Sequence, residues 1–329
     1  MEDGDEDGWS ASQAQTLKYI CGVSNILSAL GCGFIVYCFL VIQQERRNYF
    51  QRLVFYLSIV DLFNAIEWLV TLGIMDESDY VCRILGPYKK YLYLASFFWT
   101  AFIATEMLYR FTHIKFSHFG DVLIPQHSNF KERYYHLIAW VVPLPFVVWP
   151  LVDGSMSNGA YSCWYSDPQE VWSFVFLGMV VLTVLYCIII YAFVTRRYFQ
   201  MLKLSAIYNT EQGRAFKLET KVPAYILSFI LCWGPALATN VYEAIDSSPT
   251  QPRFYFECMT AFLLPLTGWL NSIVYGWSKE LHEQLFAHLR SVFCSCCRRS
   301  RKSDGTSKPS QVTQDQKTLY SSATNDVVR

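Results

Sequence analysis

The 329-residue chain is 53% hydrophobic and 17% aromatic but only 16% charged, which leaves too few charged side chains to cover a soluble globular protein of this size. Its formal net charge is zero, and no basic run alternates with aromatic residues, which argues against a nucleic-acid-binding protein. The composition therefore favours a protein that is surrounded by lipid.

Apolar stretches long enough to cross a bilayer recur along the chain. A hydrocarbon core of about 30 Å requires roughly 20 helical residues, and seven stretches meet that requirement. They lie at 19–42, 53–74, 87–113, 134–152, 171–194, 222–242 and 255–277. The sequence therefore predicts an all-α membrane protein, a bundle of seven transmembrane helices.

The basic residues predict the orientation of the bundle. Lysine and arginine collect in cytoplasmic loops, and here they concentrate in the odd-numbered loops and in the tail. We therefore expect a multi-pass plasma-membrane protein with its N-terminus outside and its C-terminus in the cytoplasm. Lys89 and Lys90 are exceptions near the outer end of the third span. We expect their side chains to extend to the lipid headgroups.

Two of the eleven cysteines stand apart from the cysteines within the spans. Cys82 precedes the third span and Cys163 lies in the fourth loop, so both are predicted to face the oxidising side. We expect a disulfide between them that ties the fourth loop over the mouth of the bundle. Cys21 and Cys258 also lie near the outer surface, and a second bridge between them is the weaker alternative.

Charged side chains inside spans usually mark function, because placing them in lipid is costly. Asp61 lies in the middle of the second span with no neutralising residue nearby in sequence, which favours a functional role in the bundle interior. Glu106 and Arg110 are four residues apart and can pair along one helix face, either as a switch or as a purely structural ion pair. Pro235 interrupts the sixth span two residues after Trp233, which indicates a hinge or a passive kink.

The segment after the seventh span predicts an amphipathic helix on the membrane surface. Leucines recur there at helical spacing beside charged residues, and Cys294, Cys296 and Cys297 follow as candidates for S-palmitoylation or as a reduced cluster. The remaining tail is polar and has little to bury, which predicts disorder. The expected segments are an extracellular N-terminus at 1–18, the transmembrane domain at 19–277, the amphipathic helix with its cysteines at 278–297 and a cytoplasmic tail at 298–329.

The spans carry segments in an order that resembles a known family. The segments are SFFWT at 96–100, YYHLIAWVVPLP at 134–145, CW at 163–164, FKL at 216–218, CW at 232–233 and PLTGWLNSIVYG at 265–276. With the seven spans, they resemble the G-protein-coupled receptors, and within these the cyclic-AMP-receptor-like family of slime moulds, fungi, plants and animals.

The chain is also similar to rhodopsin-like receptors at individual motifs. Asp61 matches their second-span aspartate, Cys-Trp-Gly-Pro at 232–235 matches their Cys-Trp-x-Pro, and 271–275 matches Asn-Pro-x-x-Tyr with serine for proline. The third span departs from the pattern, because Met107 rather than arginine follows Glu106. The resemblance implies a polar relay that sets the balance between two packings and that would hold a sodium ion or a proton at Asp61. Its members are Asp61, Ser96, Trp233, Pro235, Asn271 and Tyr275.

The resemblance implies a receptor for an extracellular small molecule that activates a heterotrimeric G protein and has no cofactor. The 18 residues before the first span are too few for a ligand-binding ectodomain, so we expect the ligand among the helices. We expect kinases or arrestins at the tail and membrane lipid as a further partner. The expected G-protein contacts are Arg196, Arg197, Arg214 and Lys217.

Other functions fit the sequence less well. A zinc hydrolase lacks ligands, because His136 is the sole histidine placed in the interior of a span, and a retinal photoreceptor lacks a lysine in the last span. A seven-span transporter is the remaining alternative, although no pair of related halves is visible.

Overall fold

A computed structural model describes most of the transmembrane region. The described residues are 9–42, 49–74, 79–113, 115–116, 122–123, 129–154, 156–158, 163–165, 171–208, 222–245 and 250–276, with 285, 286 and 290. The chain divides into two units, Met1–Leu281 and His282–Arg329, and the helical bundle belongs to the first.

The described part of the chain is almost entirely helical. Its helices are α1 (Ala11–Tyr37, continued by a π-helical turn, Cys38–Ile42), α2 (Tyr49–Ile74), α3 (Asp79–His113), α4 (Asn129–Val141), α5 (Pro145–Asp153), α6 (Val171–Tyr208), α7 (Val222–Ile245), α8 (Gln251–Leu263) and α9 (Thr267–Gly276). Two short antiparallel hairpins join β1 (Lys115–Phe116) to β2 (Val122–Leu123) and β3 (Met156–Asn158) to β4 (Cys163–Tyr165).

Six helical segments are long and apolar enough to cross a membrane, and a seventh is obtained if the bent pair α8 and α9 forms one span. The described helices therefore agree with the predicted seven-helix bundle. Several helices extend beyond the predicted spans. The helix α1 begins at Ala11, α3 begins at Asp79 and includes Pro87, and α6 continues to Tyr208.

Prolines break two of the spans. The fourth span is interrupted by a turn at 142–144 that contains Pro143, and α5 begins at Pro145. The seventh is interrupted at 264–266 around Pro265, where α8 and α9 meet at 46°. Proline lacks an amide donor and its ring clashes with the preceding turn, which explains both breaks. By contrast, α7 continues as one helix through Pro235.

The bundle buries polar side chains among its apolar core and exposes large apolar side chains on its outside, as a lipid environment requires. On α1, Asn25 and Ser28 are buried while Leu30 is 62% exposed, and on α6 Leu182 is 64% exposed. The helix α3 lies at the centre, in contact with α2, α4, α5, α6 and α7, and α1 closes the ring against α2, α8 and α9.

The helices α1 and α9 cross unusually closely because both present glycine at the contact. A Cβ on Gly31 would meet Cα of Trp269 at 2.8 Å, and a Cβ on Gly268 would collide with Cys32 and Ser28. The amide of Gly268 donates to Oγ of Ser28 over 3.2 Å. This close crossing fixes the position of α9 and of the polar residues that follow Gly268.

The predicted disulfide joins Cys82, near the start of α3, to Cys163 in β4, with 5.1 Å between their Cα atoms. The bridge holds the β3–β4 hairpin against α3, where Met156 is buried beside Gly86. Cys21 and Cys258 are both free, so the alternative second bridge is absent from this structure. The end of the bundle that carries the disulfide is the predicted outer end.

Candidate functional site

A hydrogen-bonded polar cluster lies in the middle of the bundle and joins three helices. Oγ of Ser96 on α3 donates to Oδ1 of Asp61 on α2 over 2.9 Å, and Nδ2 of Asn271 on α9 donates to Oδ2 over 3.2 Å. All three side chains are buried. We call these three residues the core cluster. Its two donors occupy both carboxylate oxygens, which offsets part of the cost of burying Asp61.

A small polar cavity borders the core cluster. Its volume of about 10 Å³ is close to the room that one water molecule needs. Its lining includes Asn25, Asn64, Asp61, Ser96 and Trp233. Among the described residues, no donor reaches Oδ1 of Asn25 or Oδ1 of Asn64. The cavity therefore combines a carboxylate with free amide oxygens, a set suited to a water molecule or a hard cation.

Trp233 connects this cavity to the aromatic residues of α3. Its ring meets Phe97 edge-on at 4.4 Å between centroids and Tyr93 edge-on at 5.0 Å. Such tilted aromatic pairs favour defined relative positions. A movement of α7 at Trp233 must therefore rearrange both the α3 aromatics and the wall of the polar cavity.

The structure brings most of the predicted relay together. Asp61, Ser96 and Asn271 are in direct contact, and Trp233 lines the same cavity. Tyr275 lies one turn beyond Asn271 on α9 and is buried, while Pro235 lies half a turn beyond Trp233 on α7.

The end of the bundle opposite the disulfide holds polar contacts that the sequence did not reveal. Glu106 is buried and accepts a hydrogen bond of 2.8 Å from the hydroxyl of Tyr135 on α4; the side chain of Arg110 lies outside the described part of the structure. Arg52 on α2 forms a salt bridge of 2.9 Å with Glu132 on α4, and the hydroxyl of Tyr56 donates to Glu132 over 3.1 Å.

The histidine in the interior of the fourth predicted span takes part in aromatic packing. The ring of His136 lies 4.4 Å from that of Tyr56 and 5.0 Å from that of Trp99, and its Nδ1 accepts from Nε1 of Trp140 over 3.3 Å. No group of metal-binding side chains occurs among the described residues. Trp99 lies on α3 and Trp140 on α4, and the sequence does not predict that these two helices meet at His136.

The prediction that Lys89 and Lys90 extend to the headgroups is wrong. Both side chains are completely buried, and the ammonium groups lie over the rings of Trp68 and Phe176. The error arose because position near a helix end was taken to decide the direction of the side chain. Neighbouring aromatic residues on α2 and α6 instead draw both lysines into the bundle.

The predicted G-protein contacts are described only in part. Arg196 and Arg197 are exposed on the extension of α6 beyond the fifth predicted span. Arg214, Lys217 and the three cysteines at 294, 296 and 297 lie outside the described residues.

The fold is a seven-helix membrane bundle with the rhodopsin type of architecture. Squid rhodopsin has the same fold, with a TM-score of 0.64 and 13% sequence identity, over 92% of this chain and 94% of that protein. A model of the slime mold cyclic AMP receptor family matches residues 9–313, and the chain belongs to this family.

Curated relatives agree with that membership. The chain is 26% identical over 295 residues to cyclic AMP receptor-like protein A of Dictyostelium discoideum, covering 89% of this chain and 73% of that one. It is also 26% identical to G-protein coupled receptor 1 of Arabidopsis thaliana, over 84% of each chain. The protein is therefore a multi-pass membrane protein of a receptor family and not an enzyme.

Proposed function

We propose that the protein binds a small extracellular molecule among its helices and activates a heterotrimeric G protein at the cytoplasmic end. The observation that carries the proposal is the core cluster, in which Asp61 is hydrogen-bonded from two other helices. A buried cluster shared by three helices stabilises one packing of the bundle and is rearranged in another.

The ligand would act by binding one of the two packings more tightly than the other, since equal affinity shifts no equilibrium. Movement of α7 at Trp233 would change the cavity beside Asp61. A sodium ion or a proton at Asp61 would stabilise the packing in which Ser96 and Asn271 reach its carboxylate. The free oxygens of Asn25 and Asn64 support this role, because a hard cation prefers several oxygen ligands.

The proposed contact surface for the G protein consists of basic residues at the end of α6 and in the following loop. Arg196 and Arg197 are exposed there, and Arg214 and Lys217 follow in sequence. The charge pattern supports a plasma-membrane protein with the N-terminus outside. The proposal extends to acylation of Cys294, Cys296 and Cys297, to the segment bounds at 18, 277 and 297, and to kinases or arrestins at the tail.

The direct test is nucleotide exchange by purified receptor in lipid nanodiscs, with a panel of G proteins and a library of small molecules. If the protein is such a receptor, at least one small molecule of the library should accelerate nucleotide exchange on at least one G protein. The transporter alternative predicts flux of a solute into proteoliposomes and no exchange on any G protein.

A charge-reversal experiment tests the cytoplasmic contacts. Replacing Arg214 and Lys217 by glutamate should lower exchange about tenfold while leaving the surface level unchanged, because interfacial charges govern the encounter between partners. The matched control is the same reversal at Lys308 and Lys317 in the tail. Equal exchange in the two double variants would remove the loop after α6 from the proposal.

A further inference from the structure

The fourth span is divided into two helical segments, and α4 is the segment that lies farther from the disulfide. The turn at 142–144 separates α4 from α5. Within the turn, the amide of Leu144 donates to the carbonyl of Val141, three residues back instead of four. Pro143 and Pro145 have no amide hydrogen to donate. The break therefore provides a hinge at which α4 can change direction relative to α5.

The central helix α3 holds this hinge in place. Because the amide of Leu144 donates to Val141, the carbonyl of Trp140 lacks the helical donor that it would have four residues later. The hydroxyl of Tyr91 on α3 donates to that carbonyl over 3.1 Å. A movement of α4 would therefore be a rotation about an anchored point.

Two side chains of α2 hold the first turn of α4 at the inner end, by which we mean the end of the bundle opposite the disulfide. Nη2 of Arg52 lies 2.9 Å from Oε2 of Glu132, and the hydroxyl of Tyr56 donates to Oε1 of Glu132 over 3.1 Å. The side chains of Arg52 and Glu132 are 27% and 12% exposed. Solvent ions therefore screen this ion pair less than they would screen a pair on an open surface.

One turn further along α4, Tyr135 contacts α3. Its hydroxyl donates to Oε1 of Glu106 over 2.8 Å, and its ring stacks on that of Phe102 with 4.1 Å between the centroids. Because Glu132 and Tyr135 are three residues apart, they lie on one face of α4. The polar side chains that join this face to α2 and α3 form what we call the α4 latch. They are Arg52, Tyr56, Glu106, Glu132 and Tyr135.

Packing inside the bundle holds the fourth span less firmly than it holds the other long helices. Only 17% of the most apolar stretch of this span is buried, the smallest share among the six single-helix spans, whereas 72% is buried for α3. Hydrogen bonds between membrane helices are individually weak. The position of α4 thus depends on a small number of polar contacts, each of which can be broken and formed again.

We propose that α4 is a hinged segment that the α4 latch holds against α2 and α3, and that release of the latch opens the inner end and favours the signalling state. Release would break one ion pair and two hydroxyl hydrogen bonds, while Tyr91 keeps the hinge in place. The predicted third loop directly precedes α4 in the sequence, so a movement of α4 would also move the end of that loop. The link to signalling rests on the proposed receptor function, whereas the movement of α4 does not.

The movement is measured without a G protein, on the full chain in lipid nanodiscs. Spin-labelled noncanonical amino acids replace Leu137 on α4 and Val41 at the end of α1, which are both exposed. Pulsed electron paramagnetic resonance then gives the distribution of distances between the two labels. Arg52→Glu sets two carboxylates against each other and should add a population at a longer distance. Combining Arg52→Glu with Glu132→Arg restores an ion pair of opposite polarity and should remove that population.

A second variant tests the other half of the latch and has a matched control. Tyr135→Phe removes only the hydroxyl that donates to Glu106, and it should add a smaller population at the longer distance. Tyr186→Phe removes a hydroxyl hydrogen bond of 2.7 Å to Thr105, which joins α3 to α6 and leaves the α4 latch intact. Arg133→Glu reverses an exposed charge beside Glu132. Neither control should add the longer distance.

The signalling consequence is measured as basal nucleotide exchange per receptor at the cell surface. Arg52→Glu should raise this exchange about fivefold or more, the size of a typical coupling between sites. The swap of Arg52 and Glu132 should return exchange to the wild-type level, and Arg133→Glu should not raise it. If the latch only glues helices together, Arg52→Glu lowers Tm and surface level but changes neither the distances nor the exchange per receptor.

The proposal is overturned if Arg52→Glu and Tyr135→Phe both keep the wild-type distances, if the folded swap variant keeps the longer distance, or if either control adds it. It is also overturned if the wild type stimulates exchange and Arg52→Glu adds the longer distance without raising that exchange. A wild type that stimulates no exchange on any G protein would contradict the proposed function, and the distances would still decide whether α4 is latched.

Discussion

The core cluster and the buried residues Glu67, Lys89 and Lys90, which we call the outer cluster, differ in the kind of partner that their charged groups have. Asp61 has a donor on each carboxylate oxygen, supplied by Ser96 and Asn271. Nζ of Lys89 lies over the ring of Trp68, with no hydrogen-bond acceptor among the described residues. Directional hydrogen bonds from two helices fix the packing around Asp61, whereas an aromatic face holds Lys89 without a directional hydrogen bond.

The largest expected effect comes from breaking the disulfide between α3 and the β3–β4 hairpin. Cys82→Ser or Cys163→Ser should lower the free energy of unfolding by about 2 to 5 kcal/mol, the usual cost of removing a native disulfide. The measurement is Tm and surface level of each variant, with Cys258→Ser as a control that removes a free thiol. Peptide mapping without reductant that found both thiols free in the wild type would contradict the bridge.

The next effect concerns the helix crossing that carries Asn271 to the core cluster. Gly268→Ala places a Cβ against Cys32 and Ser28 and should cost about 1 to 3 kcal/mol through overpacking. Gly33→Ala on α1 is the matched control, because its Cβ meets nothing within 4 Å. Equal Tm values for the two variants would contradict the close crossing of α1 and α9.

A smaller loss of stability is expected when a hydrogen bond between two helices is removed, and the control removes a hydrogen bond within one helix. Ser96→Ala removes a donor from Asp61 and should cost about 1 kcal/mol, within the range for hydrogen bonds between membrane helices. Ser228→Ala is the control, since Oγ of Ser228 donates only to the carbonyl of Ala224 on its own helix among the described contacts. If Ser228→Ala lowers Tm as much as Ser96→Ala does, the core cluster has no special role in stability.

The difference between the two clusters also explains what the sequence could predict. The seven spans and the disulfide follow from apolar length and from the compartment of two cysteines, so both were predictable. Asp61 was recognisable because a lone carboxylate in an apolar stretch needs partners. Its partners Ser96 and Asn271 were anticipated only through the resemblance to rhodopsin-like receptors.

The outer cluster could not be predicted in the same way. Lys89 lies near a helix end, where its side chain could reach either the headgroups or the interior, and sequence alone does not decide between them. The choice depends on Trp68 and Phe176, which lie on α2 and α6. The contact of Glu132 with Arg52 was missed for the same reason, because their helices meet only in the folded bundle.

Asp61→Asn tests the central claim that the core cluster sets the activity of a receptor. The measurement is nucleotide exchange per receptor at the cell surface, both basal and with any agonist that the library yields. Asparagine keeps the shape of the side chain and removes its charge, so the protein should still assemble. Nucleotide exchange per surface receptor, the exchange ratio, should change about fivefold or more, which is the size of a typical coupling between sites. Asn271→Ala and Trp233→Ala should also shift the ratio, and Ser228→Ala should leave it unchanged. If the ratio equals that of the wild type in Asp61→Asn, Asn271→Ala and Trp233→Ala alike, the core cluster is packing alone and the account is contradicted.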